Sequence, residues 1–244
     1  MTPSSSISSG TAQAAKRPAK ADRESVSHNL NGQKLGRKGR VTRERILAAT
    51  VELINESTDV PISLSAVARR ASLGMTSLYV YFSDLTELLM AVLKPVMHEA
   101  GEEQGYFRLL AEYWPDDQLE AHCLGFVAAY YAFWIKHSRL LHLRNSMADQ
   151  YDERMMAARV RSAQPVIALF RQQMALPGGV VSTAAGDMAS VLITGIERAV
   201  TVATDPVTPA FIEREFGPRN TSVVEPLGRL VLLAIADCRK AARV

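Results

Sequence analysis

The chain has 244 residues, 48% hydrophobic and 22% charged, a balance that excludes collagenous, coiled-coil and wholly disordered classes. Its two cysteines, Cys123 and Cys238, are too few for a disulfide framework and point to a reducing cytoplasm. The net charge of +3 is unevenly spread: residues 1 to 45 hold ten Lys or Arg against three acids, and the remainder is slightly acidic. A basic front on an acidic body points to a polyanionic partner met at one end.

Residues 1–32 are rich in Ser, Ala and Lys without apolar periodicity and read as a disordered tail. Residues 33–41, carrying Lys34, Arg37, Lys38 and Arg40 among glycines, read as a flexible basic arm. From Thr42, an expected N-cap, Ile46, Ala49, Leu53 and Ile54 mark one face of a helix that fades before Pro61. A second, short helix is expected from Ser63, a capping residue type, with Val67 and Ala68 inward. A third runs from Met75 to about Phe82. Asp84 and Glu87 have capping-box spacing and open a fourth, in which Pro95 should kink or end the helix. Further helices are expected at 117–137, 139–149, 151–175, 182–204 and 222–241, the last with Ser222 and Glu225 at capping-box spacing. Pro115, the Pro177-Gly178-Gly179 run and a 205–221 loop punctuate them. Alternating β-branched runs are absent, so the fold class is all-α.

Two short helices separated by Ala71-Ser72-Leu73-Gly74 have the length pattern of a helix-turn-helix. Val67, Ala68, Ala71, Leu73, Leu78 and Phe82 would lock them to the first helix. The outward remainder of the third helix, Met75, Thr76, Ser77, Tyr79, Val80 and Tyr81, offers hydroxyls suited to phosphates or base edges. A plain helical hairpin with solvated hydroxyls has the same spacing.

Residues 42–93, above all Ser63 to Ala71 leading into Leu78-Tyr79-Val80-Tyr81-Phe82 and then Asp84-Leu85-Thr86-Glu87-Leu88-Leu89, resemble the N-terminal DNA-binding domain of TetR-family transcriptional regulators. The resemblance implies a three-helix DNA-binding domain over 42–88 and an effector-binding and dimerisation domain over 89–244. It implies that Ser63 caps the second helix and bonds a phosphate, that Met75, Thr76 and Ser77 face the major groove, and that Tyr79 and Tyr81 grip the backbone. The arm, through Arg37, Lys38 and Arg40, would enter the adjacent minor groove, with Arg43 on a phosphate. Three positions depart from the family pattern. Ser72 replaces a usual Gly, at a cost of about 1 kcal/mol if the turn is left-handed. Gly74 replaces a hydroxyl cap, and Leu85 replaces a phosphate-binding Lys.

In the C-terminal part, Met188, Val191, Leu192, Gly195, Ile196 and Ala199 form one apolar stripe, and Leu227, Leu230, Val231 and Ala234 another. In the family such helices form a four-helix interface between two copies, so a homodimer is expected. Phe126, Tyr130, Tyr131, Phe133 and Trp134 crowd the helix before them, and the family's middle helices surround a small-molecule pocket, which makes His98, Tyr130, Trp134 and Asn145 candidate lining residues. Arg144 and Asp149 are expected to pair with one another or face solvent. No nucleophile–base pair, phosphate loop or metal-ligand spacing is present, so neither catalysis nor a metal or other cofactor is expected. The longest uncharged apolar stretch, Ala121 to Ile135, has 15 residues, short of a membrane span.

These expectations converge on a ligand-responsive, operator-binding repressor. Pro95 is the expected point at which an effector tilts the DNA-binding domain. An activator, or a repressor whose ligand promotes binding, shares every feature. A non-specific nucleic-acid-binding protein would use the basic front alone.

Overall fold

A computed structural model describes residues 34–56, 62–101, 105–218 and 222–243. Among them no strand occurs; the chain runs through ten helices: α1 (Arg37–Glu56), α2 (Leu64–Arg70), α3 (Met75–Tyr79), α4 (Leu85–Glu99), α5 (Tyr106–Ala111), α6 (Leu119–Asp149), α7 (Glu153–Met174), α8 (Thr183–Thr204), α9 (Thr208–Phe216) and α10 (Val224–Ala241). The tail read over residues 1–32 lies outside the described residues.

Two apolar cores follow from the sequence periodicity. The smaller joins α1, α2, α3 and the start of α4 through Ile46, Ala49, Val67, Ala68, Ala71, Leu78, Phe82 and Leu88. The larger takes over one residue later, with Leu89, Val92 and Leu93 of α4 packed among the aromatics of α5 and α6 and the apolar faces of α7, α8 and α10. Helix α4 therefore serves both cores, with adjacent leucines pointing to different ones. No described helix is long and apolar enough to cross a membrane.

Helix α1 starts at Arg37, five residues before the expected Thr42 cap, and Thr42 instead donates from Oγ1 to the Lys38 carbonyl within the helix. The segment read as a flexible arm is thus largely helical. Leu35 is buried, and a Cβ on Gly39 would meet its Cδ2 at 2.8 Å, so the glycine provides the space in which the leucine docks. The Arg40 guanidinium donates to the Leu35 carbonyl at 3.1 Å, and Arg40 N–H donates to the Gly36 carbonyl. Lysine and arginine are good helix formers, so one anchored apolar residue suffices to extend the helix through them.

The other helix starts follow their capping residues. Ser63, Asp84, Asp152 and Ser182 each accept a backbone N–H from the first turn of α2, α4, α7 and α8. The Glu87 carboxylate returns to the N–H and hydroxyl of Ser83, completing a box at α4. At α10 the expected box is not made: the N-cap is Val223, and Ser222 Oγ only accepts from Val224 N–H at 3.4 Å. Pro95 does not end α4, which continues to Glu99. The two helices expected at 117–137 and 139–149 run as α6 with a break at His137, whose φ of −116° and ψ of 17° leave the helical region. Helices α5 and α9 stand where no helix was expected, α9 inside the predicted 205–221 loop.

Candidate DNA-binding surface and effector cavity

In the helix-turn-helix, Ser63 Oγ accepts Ala66 N–H at 3.2 Å and fixes the start of α2. The four-residue turn closes through Leu73 N–H to the Ala68 carbonyl, and Ser72 adopts a left-handed φ of 51°. That is the conformation for which glycine is the undemanding residue, so the serine carries the strain anticipated from its position. Gly74, extended and without a side-chain cap, precedes α3.

Thr76 and Ser77 of α3 are exposed, and Tyr79 is 48% exposed while Leu78 beneath it is fully buried. Met75 and Tyr81 are half-buried and pack on the smaller core, so their contribution to an outward surface is smaller than the sequence implied. Arg37, Lys38 and Arg45 are exposed along the front of α1. Arg40 is also exposed but held on the Leu35 carbonyl. Arg43 lies over the Phe82 ring at 5.2 Å, where burial lowers its pKa and nearby Glu87 raises it. The ring contact makes Arg43, half-buried, an anchor for α1.

In the larger core, a cavity of about 20 Å³, room for one water, lies between α4, α5, α6, α7 and α8. Tyr130 and Trp134 line it, with Tyr106 and Phe133 from the aromatic cluster. Burial raises the pKa of Tyr106 and Tyr130, keeping both phenols neutral donors. His98 is exposed and does not line the cavity, because it falls on the outer side of α4. Asn145 is not a lining residue either; its side chain acts behind the wall.

The polar end of the cavity was missed in the sequence. Arg144 is buried, and its Nε donates to Asn145 Oδ1 at 3.0 Å, Nη1 to Ser162 Oγ at 3.2 Å and Nη2 to Glu197 Oε1 at 3.1 Å. Asn145 Nδ2 donates to the same Glu197 oxygen at 3.3 Å. The expected Arg144–Asp149 pair does not form: five residues apart on a helix, they point about 140° from each other. Asp149 pairs instead with Arg159 at 3.0 Å. Burial lowers the Arg144 pKa, and Glu197 opposes that shift. The helical stripe Leu140, Leu141, Arg144, Asn145, Ala148 carries the signal, since every member is buried.

The two cores are also clasped by polar bonds. Thr86 Oγ1 donates to Asp152 Oδ2 at 2.6 Å, and Arg154 is bidentate on Asp84 at 2.9 and 3.1 Å. Both carboxylates are helix caps, so the first turns of α4 and α7 are tied end to end. At the other end of α4, Glu99 accepts from Lys136 at 2.5 Å and lies 3.2 Å from His137 Nε2, at the break in α6.

The apolar stripes of α8 and α10 divide by burial. Leu192, Ile196, Leu227, Val231 and Ala234 are buried in the chain's own core, which corrects their assignment to an interface. Met188, Val191, Gly195 and Leu230 are exposed and Ala199 is half-buried; exposed Leu233, not anticipated, joins them. Among the described residues, no cluster of His, Cys, Asp or Glu could hold a metal ion.

No protein-family model and no curated protein matches the chain. Solved structures do. A transcriptional regulator from Rhodococcus sp. Rha1 superimposes with a TM-score of 0.53 at 15% identity, covering 83% of this chain and 98% of that one. A proposed transcriptional regulator from Streptomyces coelicolor A3(2) gives 0.53 at 18% identity, covering 81% and 97%. A TetR-family regulator from Marinobacter aquaeolei VT8 gives 0.49 at 14%, covering 81% and 96%. The chain has the all-helical fold of the first two of these structures.

Proposed function

We propose that the chain is a homodimeric, sequence-specific DNA-binding regulator of transcription in the cytoplasm, acting as a repressor that a small molecule releases from its operator. The observation that carries this reading is the surface of α3. A helix locked from beneath by Leu78 presents Thr76, Ser77 and Tyr79 outward, beside the cationic front of α1.

On this reading α3 lies in the major groove, with Thr76 and Ser77 toward base edges and Tyr79 toward phosphate, while Ser63 adds a phosphate contact from the start of α2. Arg37 and Lys38, held on a helix, follow the backbone rather than threading a minor groove. Tyr81, Met75, Arg40 and Arg43 support the surface from behind. One such unit reads few base pairs, so useful selectivity requires two copies about one duplex turn apart, roughly 34–36 Å. The exposed apolar residues Met188, Val191, Gly195, Leu230 and Leu233 supply the pairing face.

The cavity beside Tyr130 and Trp134 is the effector site, and the α4–α7 clasp is its route to the DNA-binding helices. Helix α7 lines the cavity with Ser162, Ala163 and Val166, and at its start Asp152 holds Thr86 in the first turn of α4 while Arg154 holds the α4 cap Asp84. An effector that favours displaced recognition helices must weaken operator binding by the coupling with which the operator weakens effector binding.

Selection of bound sequences from a random duplex pool, followed by footprinting, tests the proposal. A near-palindromic site protected on one duplex face over two successive major grooves is expected. Uniform coating without sequence enrichment, as the basic front alone would give, overturns it.

A further inference from the structure

At the polar end of the cavity, among the described residues, only one carboxylate is shielded from water, and it faces two guanidinium groups. Glu197 Oε1 receives Arg144 Nη2 at 3.1 Å and Asn145 Nδ2 at 3.3 Å, and lies 3.5 Å from Arg159 Nε. Two guanidinium groups thus share one carboxylate. The other acid near them, Asp149, is 71% exposed and reaches Arg159 from the solvent side, where water screens it. Arg144 is 4% exposed, and its guanidinium lies 5.8 Å from the Trp134 ring. Apart from the Ser162 hydroxyl, which accepts from Arg144, the rest of the wall is aromatic and aliphatic.

We propose that the effector is an organic anion, a carboxylate on an apolar body, and that its carboxylate takes the place of Glu197 on Arg144. The proposal rests on reading this cavity as the effector site. When the exchange occurs, Glu197 keeps Arg159 and Asn145, Arg144 gains the ligand, and neither guanidinium is left without a counter-charge. A buried cation stripped of its anion is strongly disfavoured, so an uncharged head group cannot drive the same exchange. An ammonium head meets two guanidinium groups, and the aromatic face that would hold it is already occupied by Arg144.

The cavity holds one water as it stands, so the apolar body enters only as α6 and α7 part. The backbone ladder of both helices is weakened there, by a break in α6 and by a proline inside the continuous α7. The non-helical His137 divides Phe133 and Trp134 from Leu141 and Arg144, and Pro165 lies within the α7 segment that contributes Ser162, Ala163 and Val166. At these two points fewer backbone bonds have to be lost, so the helices open there.

Calorimetric titration of the full-length chain, without DNA, tests this with three probes of one body: 3-phenylpropanoate, 3-phenylpropanamide and 3-phenylpropylamine. Saturable binding of the carboxylate, at least about tenfold tighter than the amide and with no binding of the amine, is expected. Glu197→Gln removes the competing anion and is expected to tighten the carboxylate about tenfold, a gain that general damage to the fold would not produce. The paired variant Arg144→Met/Glu197→Met, which leaves no lone buried charge, is expected to lose the carboxylate preference while keeping its helical circular dichroism. Binding of the amine, equal binding of acid and amide, no binding of any probe at millimolar concentration, or a carboxylate preference that survives in the paired variant overturns the proposal. Duplex selection separates its failure from that of the functional reading. A chain that selects an operator but ignores the carboxylate contradicts only this inference; one that binds the carboxylate but selects no duplex contradicts the regulator.

Discussion

Replacing Thr86 by Val tests the clasp between the two cores. Thr86 is 5% exposed, and its hydroxyl donates at 2.6 Å to Asp152, the cap of α7. Valine keeps the shape, so no cavity opens and the loss is that of one hydrogen bond to a carboxylate, about 1.5–3 kcal/mol. Asp152 keeps its two backbone donors, Arg154 N–H at 3.1 Å and Met155 N–H at 3.0 Å, and is only half-buried, so the low end of that range, about 1.5 kcal/mol, is expected. The neighbouring Arg154–Asp84 pair is bidentate, but its side chains are 51% and 44% exposed, so Arg154→Ala should cost only about 0.5 kcal/mol. Urea unfolding at fixed protomer concentration measures both, and hydrogen exchange of the α4 and α7 first-turn amides places the loss. In a regulator the same variant should also reduce the effect of ligand on operator affinity. A Thr86→Val loss below about 0.3 kcal/mol, or one smaller than that of Arg154→Ala, would refute the reasoning, because the less solvated bond must dominate.

Three further outcomes are expected. Ser72, at a φ of 51°, should tolerate glycine, with a stability change within about 0.5 kcal/mol because strain relief offsets added chain entropy, whereas Ser72→Val should destabilise by more than about 1 kcal/mol in the same unfolding assay. Val191→Glu with Leu233→Glu, at positions 70% and 52% exposed, should convert dimer to folded monomer in sedimentation velocity, whereas Ile196→Ala should cost about 2–5 kcal/mol of core stability; a stable dimer in the first variant would remove that face from the interface. Burial pushes the Asp84 and Asp152 carboxyls up, but bonds from Arg154 and Thr86 and from backbone N–H groups hold both below their ordinary value. Their contribution is therefore complete above about pH 4 and lost as pH falls through the lower folded values. The stability gap between the wild-type chain and Thr86→Val/Arg154→Ala should be flat from pH 5 to 8 and narrow as pH falls below the ordinary carboxylate range; a gap undiminished in acid would contradict the assignment.

What the sequence disclosed depended on how local each signal was. Ser63, Asp84 and the Ala71–Gly74 turn act within a few residues, so two short helices about a tight turn are readable from spacing, whereas the strain at Ser72 follows only from the family resemblance. The break in α6 at His137 also fell where the pattern divided. The start of α1 was misplaced because its determinant, Leu35 docking against Gly39, looks in sequence like a leucine between flexible glycines. The stripes of α8 and α10 showed which residues are apolar, but an inward Ile196 and an outward Val191 differ only in which side of the helix meets α6 and α7. Charge alone places Arg144 on Asp149 or in solvent. Its position in a buried helical stripe, matched by Glu197 between Ile193, Ile196 and Val200, was the periodic signal that outweighed charge.

The central claim is that α3 reads base pairs, and the double substitution Thr76→Ala/Tyr79→Ala tests it most directly. Both side chains are exposed, so circular dichroism and oligomeric state should match the wild type. Titration against the duplex selected by the wild-type chain should show affinity falling at least about a hundredfold, toward that for random duplex, given about 1–3 kcal/mol per specific contact. Affinity within twofold of wild type, on a folded and paired molecule, would contradict the account.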